Sequence, residues 1–399
     1  MALQYPLVLP GTNVRNFDMH METSIGVSQS PFSFRSQRVN WGGDRWLGSV
    51  QLPPLTRVQA DAWLAFFAAL HGSEGTFLLG DPFRSTQRGS MAQISTGVRI
   101  DASVVEPSGY TLATRGWTPD AIGVLLKGDL FQAGDGEFAR LYMVTEDVDA
   151  DSSGNATLSI WPRWRKPLTD TPAEKITNGD WEAWASPSDA DFWSEVHTAN
   201  ANYNQYSASP YAGTYSLEIE KLLTAVAESR TTGAGNFNLD PGKPYRLSFA
   251  VQIDAYTGQA NGCPINIFNT TQSPDEHLVV RGYTASPHAT DYTNWTAETV
   301  SADGIQPLPT TSWVRHEFGI IPANRYLSTD NYQVNVASRE AAPRKTRFDN
   351  FSVYGPTWDG HELVFTNPRG VWRLRENVIG WSVSDLVTYG IGFTFEEAL

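Results

Sequence analysis

The chain holds one cysteine in 399 residues, Cys263, so no internal disulfide can form and a disulfide-built secreted scaffold is excluded. That thiol reads as a small buried or half-buried side chain, since no Cys–His pairing signature surrounds it. Positive charge is also scarce: 29 Lys and Arg stand against 43 Asp and Glu, a formal net charge of -14. Neutralising phosphates takes clustered Lys and Arg, so nucleic-acid binding is not expected, and no local basic cluster restores it. No apolar run approaches the roughly 18 residues that a membrane-spanning helix needs, so no membrane insertion is expected. Met1 to Thr12 lacks a basic segment followed by a sustained apolar run, so neither a signal peptide nor a mitochondrial-type presequence is expected, and the chain reads as one made in a cytoplasm.

Turn formers and aromatics are what the chain has in quantity: 33 Gly, 24 Pro, 14 Trp, 15 Tyr and 19 Phe, with only 18% charged residues. That mixture predicts many short strands joined by tight turns, a mainly β fold. At this length each of two or three domains can bury a core of its own.

One helix is expected, over about residues 56–71. Thr56 can cap it, Gln59 completes a capping box, and Val58, Ala62, Trp63, Phe66, Phe67 and Leu70 recur at helical spacing until Gly72 supplies the stop. Its aromatic stripe reads as a face packed on a sheet. Strand-like runs flank it: Asp44 to Leu52 before, then Thr76–Leu79, Val98–Val105, Tyr110–Thr114, Ala121–Leu126, Ala139–Glu146 and Ala156–Ile160. Asp147 to Asn155 has the look of a calcium loop, but counting from Asp147 places Ser152 where an EF-hand needs Gly and Leu158 where it needs a bidentate carboxylate. A polar hairpin turn is the expectation there.

The pattern changes between Arg163 and Pro172, where basic residues, prolines and a Thr-Asp-Thr-Pro stretch read as a linker. Beyond it, Ile176 to Glu182 opens a segment dense in Trp and Tyr. Tyr215–Glu220, Tyr245–Ile253 and Trp313–Ile321 alternate as strands, and Phe348–Tyr354 closes the segment, the spacing of a β-sandwich. The tail after Pro356 is strand-like again at Leu363–Thr366, Val371–Arg375 and Tyr389–Glu396.

The first stretch and the tail together resemble the distal tail proteins of long-tailed (siphovirus-type) bacteriophages and related gene-transfer particles. The resemblance runs through Trp41 to Pro54, the helix, Gly75-Thr-Phe-Leu-Leu-Gly-Asp-Pro82, Gly109 to Trp117, Lys127 to Asp129 and Leu158 to Arg165. It is strongest in the ending: Phe365-Thr-Asn-Pro-Arg-Gly-Val-Trp-Arg-Leu374, Gly380-Trp-Ser382 and Tyr389-Gly-Ile-Gly-Phe393 through Leu399. It covers a little over half of the chain. It implies a discontinuous ring domain, 1–170 with 357–399, whose copies form a homohexamer joining the tail tube to the baseplate hub or tail tip. The implied location is the distal end of the virion tail, after assembly in the host cytoplasm. If one domain is split this way, Asp170 and Trp358 should lie close in space.

The intervening 171–356 is similar to jelly-roll carbohydrate-binding modules with an Asn-Gly-Asp-aromatic-Glu opening, here Asn178 to Glu182, and an Asp-Asn pair in the last strand, here Asp349-Asn350. That likeness implies a structural calcium with Glu182 and Asp349 as carboxylate ligands; the same two residues also read as metal-free surface turns. Sugar binding needs aromatic faces for pyranose C–H groups with amides and carboxylates nearby. Trp184, Trp193, Tyr203, Tyr206, Tyr211 and Trp295 stand in polar, loop-like surroundings and are the candidates for host polysaccharide, although each alone also reads as core or rim packing. No enzyme is expected: the carboxylates form no glycosidase signature, and the seven histidines are scattered without a metal-binding spacing. Three readings remain, in order: a tail-ring subunit that displays a glycan-binding sandwich, a free carbohydrate-binding protein, and a tail-associated glycan depolymerase.

Overall fold

Alternating burial along the strand Arg45–Gln51, with Trp46, Gly48 and Val50 inward, shows how the first sheet is built. The computed structural model describes residues 5–11, 13–89, 94–165, 168, 170–196, 201–222, 227–253, 265–271, 276–281, 312–338, 345–383 and 388–399. The fold is mainly β, with one α-helix among the described residues, Arg57–Leu70. Two units emerge, Met1–Pro167 with Glu362–Leu399, and Leu168–His361.

In the first unit one sheet runs in the order Asn16–Glu22, Arg45–Gln51, Tyr389–Glu397, Gly370–Leu374, Thr76–Leu79, so strands from both ends of the chain interleave. The helix covers this sheet. Trp63, Phe66 and Phe67 are buried and meet Phe77 and Phe393 with ring centroids 5.2 to 6.0 Å apart, mostly edge-to-face. The Gln59 side chain accepts the Thr56 N–H (3.0 Å), as a capping box requires. The helix ends at Leu70, two residues before Gly72, because His71 itself turns left-handed at φ 50°. A second sheet runs Leu363–Val364, Leu130–Ala133, Arg140–Val144, Asn155–Trp161, Thr111–Trp117, Ile94–Ile100.

Two local expectations resolve differently from one another. Ala121–Leu126 is not a strand: a single bridge, Leu125 to Val148, ties down a looped segment with Asp120 and Gly123 at positive φ. Asp147–Asn155 is a polar turn between two antiparallel strands, in which Asp151 accepts the N–H groups of Ser153 and Asn155 (both 2.8 Å).

Apart from both sheets stands a third element of this unit, a ribbon in which Ile25–Gln29 pairs with Ser36–Asn40. Among the described residues no other strand joins it.

The second unit is a β-sandwich. Its front sheet orders Ala201–Tyr206, Ser216–Lys221, Lys345–Gly355, Tyr245–Ile253, Val314–Ile320; its back sheet orders Trp193–Val196, Ala227–Thr231, Asn331–Ser338, Ile265–Asn269, Glu276–Arg281. Inward residues of both sheets, among them Leu217, Ile219, Phe249, Ile267, Val334 and Phe348, form one core. The ends of the unit are neighbours: Ala173–Glu174 pairs antiparallel with Gly355 and Tyr354. Asp170 and Thr357 both reach one turn, Asp170 through Lys243 Nζ (3.2 Å) and Thr357 through its N–H to the Pro244 carbonyl (2.8 Å).

Candidate functional site

The opening motif of the sandwich is a folding device. Asn178 takes φ 55°, and its side chain accepts the Ala183 N–H and donates to the carbonyls of Ala183 and Asp191, each at 2.8 Å. Its own carbonyl accepts the indole N–H of Trp193 (3.0 Å). Gly179 lies against the backbone of Phe351, whose N–H donates to the Gly179 carbonyl (2.7 Å), and a Cβ at 179 would overlap the Phe351 carbonyl oxygen. Trp181 is fully buried and packs on Trp193 with ring centroids 4.7 Å apart.

Three candidate aromatics are corrected by this arrangement. Trp193 is a core residue, because its strand turns that ring inward beneath Trp181. Tyr203 is also in the core, its hydroxyl donating to the Glu228 carbonyl (2.7 Å), and burial pushes its pKa up. Trp184 is half-buried against the same core and donates its indole N–H to the Trp181 carbonyl. Trp193 and Tyr203 present no free ring face, and Trp184 is partly covered by the core it packs on. Trp295, like Cys263, lies outside the described residues.

Tyr206 and Tyr211 are placed differently. Leu217, Phe348, Val251 and Phe249 face the core, so their neighbours Glu218, Arg347 and Gln252 face outward from the front sheet, and cross-strand pairing aligns them in one row. Arg347 Nε donates to Glu218 (2.8 Å) and its Nη1 to Gln252 (3.0 Å), while the guanidinium sits 4.1 Å from the Tyr206 ring centroid. The segment after Tyr206 crosses this outer face. Tyr211 packs edge-on against Trp313, centroids 6.0 Å apart, and Trp313 donates its indole N–H to the Ser209 carbonyl (2.8 Å). Tyr211 is 36% exposed and Trp313 half-buried. Tyr206, Tyr211 and Trp313 thus share a face, but Arg347, Gln252 and Glu218 are mostly buried and spend their polar atoms on one another. The Arg347 guanidinium also covers the Tyr206 ring, which leaves Tyr211 and Trp313 as the aromatic surface open to a ligand.

Glu182 and Asp349 hold that segment down. Asp349 is fully buried; its Oδ2 accepts the N–H groups of Tyr211 (2.8 Å) and Ala212 (3.0 Å), and its Oδ1 accepts that of Asn350 (2.7 Å). Glu182 Oε1 accepts the N–H groups of Thr214 (2.6 Å) and Tyr215 (2.9 Å). Gly213, at φ 65°, leaves the space that Glu182 fills, and a Cβ there would collide with its carboxylate. Burial first, then the nearby Glu182 charge, raises the Asp349 pKa to about 6. Both carboxylates offer the hard oxygens that calcium prefers, and a cation between them would relieve that unfavourable charge. Among the described residues no cluster of three or more His, Cys, Asp or Glu gathers around any point, so carbonyl oxygens would have to complete the shell.

The back sheet has an outer row that sequence patterning passed over. Arg230 and Asn335 are directly opposite each other, Arg230 pairs with Glu228 (2.6 Å), and Asn335 Oδ1 is buried with no partner among the described residues. Phe268, the aromatic beside them, is 7% exposed under Arg230, so its ring face is covered.

No protein family model matches the chain, and no curated protein matches it. Among solved structures it is similar to a Family 16 Carbohydrate Binding Module-2, at 14% identity over 45% of this chain and 97% of that one, with a TM-score of 0.30. It is similar to TmCBM61 in complex with β-1,4-galactotriose, at 14% identity over 45% and 97%, TM-score 0.27. It is similar too to a cyclase from Fischerella sp. TAU, at 9% identity over 46% and 98%, TM-score 0.32.

Proposed function

We propose that this chain is a structural subunit of the distal end of a bacteriophage tail. Its Met1–Pro167 and Glu362–Leu399 unit builds a hexameric ring between the tail tube and the baseplate hub or tail tip, and its sandwich binds host-surface glycan. The subunit is assembled in the host cytoplasm and catalyses no reaction. The observation that carries the assembly half is the Ile25–Asn40 ribbon, two strands that among the described residues pair only with each other while Phe32, Phe34 and Trp41 stand in water. A lone two-stranded ribbon is marginal by itself, and contiguous exposed apolar surface marks an interface. Purified protein is expected to sediment as a hexamer, and labelled protein should appear at the tube-to-tip junction of intact particles. Monomers at every concentration, together with absence from particles, would overturn the reading.

The glycan half rests on the Tyr211 and Trp313 surface. Tyr211→Ala keeps the backbone N–H that Asp349 accepts, so the fold should survive while affinity for the best-bound glycan of an array falls about tenfold, the effect of losing one aromatic contact. Unchanged binding would move the site elsewhere, with the Arg230 and Asn335 row next in line. Weak single sites suffice in a ring, since several copies on one surface multiply their strength. Release of product from polysaccharide would favour the depolymerase reading.

Glu182 and Asp349 would hold calcium as a clamp on the 211–215 segment. Adding calcium to chelator-treated protein should then raise the melting temperature of the parent chain and leave that of Glu182→Gln where it was. An equal rise in both would remove calcium from this pair.

A further inference from the structure

The ribbon that carries the assembly reading also specifies what it fits. From Ser24 to Trp41 there is no acidic residue and there are two arginines, Arg35 and Arg38, in a chain whose net charge is -14. Its apolar side chains face water: Phe32 is 96% exposed and Trp41 71%, with Val27 and Phe34 also exposed. The tip is nonetheless shaped, because the Ser30 hydroxyl accepts the N–H groups of Phe32 and Ser33, and Gln29 donates to the Phe34 carbonyl (3.1 Å). An ordered tip that displays an aromatic ring, with Arg35 beside it and Arg38 along the strand behind, is made for a cleft of opposite character.

Such a cleft lies on the same unit. It encloses about 320 Å³ and is lined by Asp18 and Glu376 together with Val378, Ile379, Phe393 and Thr394. Val378 is exposed, so the cleft offers apolar surface beside its two carboxylates.

The ribbon does not occupy the cleft of its own copy. The strand Asn16–Glu22 pairs with Arg45–Gln51 so that Glu22 meets Arg45 at one end and Asn16 meets Gln51 at the other. The ribbon leaves from the Glu22 and Arg45 end, whereas the cleft is lined from Asp18 and Ser49 outward to Asn16 and Gln51, about 14 to 20 Å away at the rise of an antiparallel strand. Exposure along the ribbon shows that it is not folded back onto that sheet.

We infer that the Ser24–Trp41 ribbon of one copy seats its aromatic tip and two arginines in the Asp18 and Glu376 cleft of the next copy. This rests on the ring reading and deepens it. The two surfaces are different patches, so the contact is head-to-tail, and a head-to-tail contact closes into a ring when its rotation divides the circle. Opposite charges fix the register of such a contact and penalise wrong pairings.

Sedimentation velocity on the full chain tests it by charge exchange. Arg35→Glu with Arg38→Glu should weaken assembly on the order of 100-fold by placing like charges together. Asp18→Arg with Glu376→Arg should do the same, and the chain carrying all four changes should assemble again. Phe32→Ser should also dissociate the assembly with no change in thermal unfolding, because that side chain is exposed in the single subunit. If the parent chain assembles and the ribbon variants assemble equally well, this contact is wrong and the ring reading stands. Disruption by the ribbon changes but not the cleft changes would overturn the cleft assignment, as would a four-fold variant that stays apart. A parent chain that never assembles removes the ring reading itself.

Discussion

Gly179→Ala should lower the stability of the sandwich by about 4 kcal/mol, the sum of overpacking and of a buried backbone pair pulled apart. The added methyl has nowhere to go, because the Phe351 carbonyl oxygen occupies its position. Moving the two backbones apart would break the 2.7 Å bond from the Phe351 N–H to the Gly179 carbonyl and displace Lys345–Gly355, the middle strand of the front sheet. For a unit of this size that loss corresponds to a fall of roughly 8 to 16 °C in melting temperature, readable by calorimetry. Gly233→Ala is the control: a Cβ there meets open space, so only the left-handed φ of 54° is strained, at about 1 kcal/mol. Equal effects at the two positions would show that steric closure at Gly179 does not anchor the motif.

The second large effect is a pair of opposed titrations within the sandwich. His361 is buried against Trp358, with Nε2 3.1 Å from the Tyr245 carbonyl, and burial lowers its pKa to about 4. Below about pH 6.5 the unfolded chain takes up a proton that the folded one refuses, so stability is lost as pH falls from there towards 4, about 3 kcal/mol in full. Asp349 runs the other way. Its carboxyl, raised to about 6, stays protonated in the folded state while the unfolded one ionises. That contribution is complete below about pH 4 and is lost as pH rises through 6, again about 3 kcal/mol. Glu195, also raised by burial, tilts the same way as Asp349. In chelator the parent should therefore show a shallow profile between pH 4 and 6, the residue of two cancelling slopes. His361→Gln should expose a stability that declines with rising pH, and Asp349→Asn one that climbs. Denaturant unfolding at pH 4, 5, 6 and 7 reads both, and three parallel profiles would refute the cancellation.

Where the signal is local, the sequence was legible. Thr56, Gln59 and the stripe from Trp63 to Leu70 mark the helix because capping and 3.6-residue periodicity act within one turn of chain. Alternation likewise marked Tyr245–Ile253 and the closing strand of the sandwich. The aromatics were harder. Tyr203 sits among Asn and Gln, yet Ala201 and Tyr203 are the inward positions of a short edge strand, and only pairing with Ser216–Lys221 reveals which way they point. Trp313 escaped notice as a site residue for the converse reason: it begins an alternating run, and its outward aspect follows from the Val251 to Val314 pairing one residue on. Glu182 and Asp349 stand out in the sequence only through a resemblance, and their tie to the 211–215 backbone depends on a fold that brings residues 138 and 33 positions apart into hydrogen-bonding distance.

The neighbouring ends of the sandwich have an evolutionary meaning. Because Ala173–Glu174 pairs with Gly355 and Tyr354, entry and exit of nearly two hundred residues occupy adjacent places in one ladder. A segment with touching ends behaves as a cassette: recombination can remove it, or put another in its place, with only a short splice to close the gap. On the tail-subunit reading proposed above, host range would change by trading this one module, while the sequence on either side goes on specifying the same part.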